Sequence, residues 1–119
     1  IPPERGGATR REVRVGDGAA NPDLGIAAVL FAGLDGVRRG LDPGEPLSGD
    51  AYTASEDRAG APLPTSLDDA LDALEADDVI ADAMGRELVD TFVAVKRFEL
   101  ERHRAHVSEW ELEEYLHHL

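Results

Sequence analysis

The chain has 119 residues, an apolar share of 42% and a formal net charge of −13. That length allows one domain or a piece of one, with a modest core. Twenty-five acidic residues against twelve basic ones disfavour non-specific nucleic-acid binding and anionic membrane surfaces, while the absence of cysteine removes disulfides and thiolate metal sites.

Residues 1–8 are rich in proline and glycine and read as loop. Residues 9–15 alternate, carry Val13 and Val15, and predict a short strand. In a strand, Arg10, Glu12 and Arg14 share one face at successive spacings of roughly 7 Å. A carboxylate between two guanidiniums is costly to assemble unless it holds a metal or the arginines hold anions. Gly16-Asp17-Gly18 then turns the chain toward Asn21, a favourable N-cap, with Pro22 at the first helical position. Anion-gripping groups, a metal-ready carboxylate and a strand-to-helix corner suggest phosphoryl or acyl-phosphate chemistry.

The helix from Pro22 runs to about Arg39 and is apolar nearly all round between Ile26 and Leu34, which predicts burial. Gly25, Gly33 and Gly36 weaken its helicity and predict close packing against neighbouring backbone. Gly40 fits the C-cap. Residues 41–65 hold four prolines and several glycines and read as a long irregular loop. Ser66 caps the next helix, in which Leu67, Leu71 and Leu74 form a stripe. A short helix follows at about Asp78–Met84, Gly85 interrupts, and a long helix runs from about Arg86 to Ala105 with Leu88, Phe92 and Val95 on one face. Ser108-Glu109-Trp110-Glu111 has the form of a capping box and opens a last helix.

The chain is thus mostly α, with one or two short N-terminal strands and about five helices. A lone strand leaves its backbone groups unpaired. No partner strand is evident in the sequence, and the chain opens on Ile1, so the expectation is a fragment of something longer. Charge is uneven as well. Residues 1–14 hold four arginines and two glutamates, whereas residues 42–90 hold fourteen acids and two arginines. No signal peptide is visible, and the apolar run from Ile26 to Leu34 is too short to span a bilayer. The expected setting is cytoplasmic.

Several stretches together resemble the C-terminal part of the glutamine synthetase family: Arg10-Arg11-Glu12-Val13-Arg14, Asp17-Gly18-Ala19-Ala20-Asn21-Pro22, Ala32-Gly33-Leu34-Asp35-Gly36-Val37 and Leu41-Asp42-Pro43-Gly44-Glu45-Pro46-Leu47. The later run Ser66–Leu74 is similar too, and the likeness covers nearly the whole chain. Arg-x-Glu-x-Arg joined to Ala-Asn-Pro is specific, whereas either half alone is weak. The tail, Val107 to Glu111 with Tyr115-Leu116, looks more like the γ-glutamylpolyamine and related γ-glutamylamide synthetases.

The resemblance implies an α+β parent fold, of which residues 1–119 would form a C-terminal portion of the catalytic domain: strand 9–15, buried helix 22–39, loop 41–65 and helical tail 66–119. It implies an ATP-dependent ligase that joins the γ-carboxylate of glutamate to ammonia or another amine through γ-glutamyl phosphate. It further implies a Mg²⁺ or Mn²⁺ cofactor and a ring-type homo-oligomer, usually a dodecamer. By position, Glu12 would be a metal ligand, Arg14 the catalytic arginine on the glutamate carboxylate, and Arg10 a contact to the nucleotide phosphates. The chemistry agrees, because hard cations take carboxylate oxygens and arginine grips carboxylate and phosphate bidentately. The other metal ligands and the ATP pocket of the family lie upstream of this sequence, so the fragment alone should be inactive. The amine is not identified by these residues.

The sequence departs from the family at Asp23, where a tyrosine is usual, and at Gly25, where alanine is common. Tyr52 lies near the tyrosine that some bacterial members adenylylate, but its neighbours do not match and no modification is expected. A blander reading makes Arg10, Glu12 and Arg14 a solvated strand face with ion pairs. Another makes the chain a non-catalytic helical interaction module or a family pseudoenzyme; a basic-arm RNA binder is disfavoured by the net charge. Glu99, His103 and His106 could approach a metal, but a polar helix end explains them more simply. The acids from Asp68 to Asp82 have no calcium-loop spacing. Trp110 and Tyr115 are expected to anchor the last helix to a core or a neighbouring subunit.

Overall fold

The computed structural model describes residues 6–8, 12–50 and 62–118. Among them are five α-helices: α1 (Pro22–Arg39), α2 (Leu67–Glu75), α3 (Asp78–Met84), α4 (Arg86–Arg104) and α5 (Glu109–Tyr115). Short 3₁₀ turns occupy Gly6–Ala8 and Leu116–His118.

Each helix boundary has a local cause. The Asn21 side-chain oxygen accepts the amides of Asp23 (2.9 Å) and Leu24 (3.2 Å), and Pro22 follows in the first turn, where its missing N–H costs nothing. The helix ends at Gly40, whose φ of 61° is left-handed and whose amide reaches back to the Gly36 and Val37 carbonyls. The Ser66 hydroxyl caps α2 by accepting the Asp69 amide at 3.1 Å, and the Asp77 carboxylate caps α3 through Ile80 at 3.0 Å. Gly85, at φ 96°, ends α3 and begins α4, a bend that an L side chain resists. Arg86 braces this bend by donating to Asp78 (2.6 Å) and Asp82 (2.7 Å), two carboxylates that raise its pKa further. Ser108 and Glu111 close a complete capping box at the start of α5, as their spacing predicts.

The core is small. Leu71 from α2, Ala81 from α3, and Val89 and Val93 from α4 are buried, with Leu74, Met84 and Phe92 packed around them. Helix α3 contacts α2, α4 and α1, and so carries the first helix against the rest. The α2–α4 contact is edged by charge: Arg97 donates to Asp72 at 2.6 Å and to Glu75, lies 3.7 Å from Asp68, and Arg104 also meets Asp68.

Four expectations need correction. Residues 12–17 take no regular secondary structure, and no strand occurs among the described residues. A strand is stable only with a neighbour to accept its hydrogen bonds, and no described segment supplies one. Helix α1 forms where expected but has no fully buried residue; Ile26 and Leu30 are each 61% exposed and Val37 80%. Gly25 and Gly36 face open space, so they mediate no close backbone packing. On α4 the buried residues are Val89 and Val93, whereas Leu88 and Val95 are about half exposed. The stripe is rotated by one position because α2 and α3 both press on that side. Residues 9–11 of the expected strand, and 51–61 of the loop including Tyr52, lie outside the described residues.

Candidate functional site

The corner that sequence reasoning singled out runs from Glu12 to the first turn of α1. Its final bend is fixed locally. The Asp17 carboxylate accepts the Ala19 amide at 2.7 Å, and the Asp17 carbonyl accepts the Ala20 amide at 3.0 Å. This Asx turn delivers Asn21 to its capping position. Asp17 was not singled out as a positioning residue, although Asp-Gly at the mouth of a helix is the signal that could have found it.

Upstream of the turn, Arg14 Nε donates to Glu12 Oε1 at 2.6 Å, and a second guanidinium nitrogen meets the same oxygen. The two side chains therefore do share one side of the segment, two residues apart, and they lie at the surface: the Arg14 side chain is 85% exposed and that of Glu12 37%. Arg10, the third member of the expected constellation, lies outside the described residues.

Glu12 suits a hard divalent cation in donor type and accessibility, and it supplies one of the several oxygens that such an ion takes. No group of three or more metal-ligating side chains occurs among the described residues. His103 and His106, with Glu99, accordingly form no such group.

Two cavities flank the start of α1. One of about 740 Å³ lies between the corner and the helix, walled by Val13, Gly16, Asp17, Asn21, Ile26 and Leu30. The other, about 480 Å³, opens between α1, α3 and α4 and is lined by Leu24, Ala28, Ile80, Met84 and Leu88, with Lys96 also on its wall. Lys96 sits 5.9 Å from the centre of the Phe92 ring and 2.7 Å from Glu99. Sequence reasoning gave Lys96 no role.

At the far end, Trp110 and Tyr115 contact each other edge to face, with ring centres 6.1 Å apart, and are 63% and 56% exposed. Helix α5 packs on no other helix among the described residues, so its aromatic pair anchors it to no core within them. No described helix is long and apolar enough to cross a membrane.

The family model for the glutamine synthetase catalytic domain matches residues 1–115. The chain belongs to the glutamine synthetase family. Glutamine synthetase of Halobacterium salinarum is 42% identical over 98% of the chain, and the enzymes of Methanococcus maripaludis and Staphylococcus aureus are each 38% identical over the same share. These matches cover 26% to 27% of the relatives' own length, so the chain spans about a quarter of the curated glutamine synthetases it matches. The family likeness read from the Arg10–Arg14 and Asp17–Pro22 stretches is thereby borne out.

Proposed function

We propose that residues 1–119 form a C-terminal portion of the catalytic domain of an ATP-dependent glutamate–amine ligase with an α+β parent fold. Family membership carries this reading. It gains support from the exposed pairing of Glu12 with Arg14 beside a capped helix start.

In the proposed reaction a γ-carboxylate oxygen of glutamate attacks the terminal phosphorus of ATP and ADP leaves. The amine then attacks the carbonyl carbon of γ-glutamyl phosphate, inorganic phosphate departs, and the nitrogen gives up a proton to leave the amide. Glu12 would be one ligand of a divalent cation, Mg²⁺ or Mn²⁺, which would supply positive charge for the phosphoryl oxygens. Arg14 would grip the carboxylate of glutamate, and Arg10 would contact the nucleotide phosphates. Arg14 pairs with Glu12 at the corner, so the two groups proposed to meet cation and substrate stand side by side. Ammonia is the amine that the relatives' name favours, while the tail motif around Trp110 leaves a polyamine or other alkylamine open. The remaining ligands come from outside these residues, so the segment by itself has no turnover. The exposed α1 and α5 surfaces suit assembly into a cytoplasmic ring-type homo-oligomer.

The decisive experiment uses the full-length protein that carries these residues, assayed with ATP, glutamate and a panel of amines. Glu12→Gln should lower turnover by at least roughly 10- to 100-fold, the range for changes one step further from a metal, and should move the metal dependence to higher concentration. Unchanged turnover and unchanged metal dependence would remove Glu12 from the metal site.

A second reading, a non-catalytic helical interaction module, is favoured by the exposed Trp110–Tyr115 pair, whose helix packs on no other helix among the described residues. Absence of turnover with every amine, together with stable assembly, would select it.

A further inference from the structure

The chain's cations are few, and they are of one kind. Of the twelve basic side chains, eleven are arginine and only Lys96 is lysine, against twenty-five carboxylates. The described structure shows most of these cations already committed. Arg14 pairs with Glu12, Arg39 with Asp35, Lys96 with Glu99, and Arg86 with both Asp78 and Asp82. Arg97 serves Asp68, Asp72 and Glu75, and Arg104 also serves Asp68.

Arg38 and Arg102 form no ion pair among the described residues, and the unpaired acids outnumber them. Glu87, Asp90, Glu109, Glu113 and Glu114 are exposed and form no ion pair among the described residues. Glu87 and Asp90 lie three apart on α4, and Glu109 and Glu113 four apart on α5, so each pair stacks like charges on one helix face. The opposing force within this segment is small, since Leu71, Ala81, Val89 and Val93 are the only buried residues among those described.

We propose that this fold is built for a solution of molar monovalent salt and reaches full stability only there. The argument is one of distance. The Debye length is about 10 Å at 0.1 M salt and about 3 Å at 1 M. Like charges on neighbouring helical turns, roughly 5–6 Å apart, therefore repel at low salt and are screened at molar salt. The attractive pairs sit closer, at 2.6 Å for Arg97–Asp72 and Arg86–Asp78, and keep more of their interaction under the same screening. Arginine strengthens the asymmetry, because its planar fork holds several carboxylates at contact distance, as Arg97 does here. Added salt thus removes more repulsion than attraction.

The test is thermal unfolding of the full-length protein that carries these residues, followed by far-UV circular dichroism in KCl from 0.1 to 2 M. A variant carrying Glu87→Gln, Asp90→Asn, Glu109→Gln and Glu113→Gln runs beside it. The expected result is a Tm that rises on the order of 10 °C across this range. The variant should start higher at 0.1 M and gain at most about half as much. A Tm that is flat or falls with KCl overturns the proposal. So does a variant with the parent's full salt slope, since salt would then act on apolar surface rather than on these charges. The readout is unfolding, so its failure leaves the ligase reading standing, and the reverse holds too.

Discussion

Leu71 is the test of whether the three-helix cluster is what holds this segment together. It is 2% exposed and sits where α2 meets α4, among Ala81, Val89 and Val93. Leu71→Ala removes three carbons from water-free surroundings, worth about 0.8 kcal/mol each, or ~2.4 kcal/mol by transfer. The cavity left behind raises this toward about 3–4 kcal/mol, since the surrounding helices can close the gap only in part. Leu67 provides the internal control. It lies on the same helix one turn earlier but is 43% exposed. Leu67→Ala gives up about half of the transfer term and leaves a dent that water fills, for a loss of ~1 kcal/mol. Urea unfolding followed by circular dichroism measures both. If the two variants shift the midpoint equally, or if Leu71→Ala costs under ~1 kcal/mol at unchanged m-value, the cluster is not the stabilising unit. The stakes reach the functional corner, because α3 links this cluster to α1.

Other outcomes follow from the caps. Asn21→Ala removes the acceptor for two α1 amides and should cost about 1 kcal/mol, while Asn21→Asp should retain most of it; hydrogen exchange at Asp23 and Leu24 reports the loss directly. Gly40→Ala should cost ~1–2 kcal/mol in a denaturant melt although an added Cβ meets nothing within 4 Å, because the penalty lies in the φ of 61° alone. Glu111 accepts the Ser108 amide and, secondarily, its hydroxyl, which lowers its pKa from the usual 4.5. A depressed folded pKa means that its support for α5 is complete above that usual value and is lost as the pH falls through the lower one. The Ser108 amide resonance should follow that titration and cease to titrate there in Glu111→Gln; a midpoint at or above 4.5 contradicts the capping role.

The parts of this fold that can be read from the sequence are those decided within four residues. Asn21-Pro22, Ser66, Ser108 with Glu111, Gly40 and Gly85 each set a helix end by satisfying or interrupting adjacent backbone groups, and each does so where the sequence places it. The pairing of Glu12 with Arg14 belongs to the same class, since alternation along an extended segment brings residues two apart to one side. Leu71 was legible as part of a stripe, but the side of α4 that faces it was not. Leu88, Phe92 and Val95 satisfy helical periodicity as well as Val89 and Val93 do, and only the positions of α2 and α3 choose between them.

Helix α1 shows the limit of pattern most clearly. Its apolar run forms a helix as composition demands, yet Ile26, Leu30 and Leu34, spaced four apart, stand 61%, 61% and 48% exposed. Amphipathic or apolar character dictates that a surface favours cover; it carries no information about what covers it. Residues 12–15 are the strand counterpart, since alternation prepares an edge and leaves the choice of partner open. Val13 of the extended segment and Ile26 and Leu30 of α1 wall the same cavity beside Asp17 and Asn21, so both apolar surfaces that pattern leaves without a chosen cover open onto one space, next to the segment that carries Glu12 and Arg14.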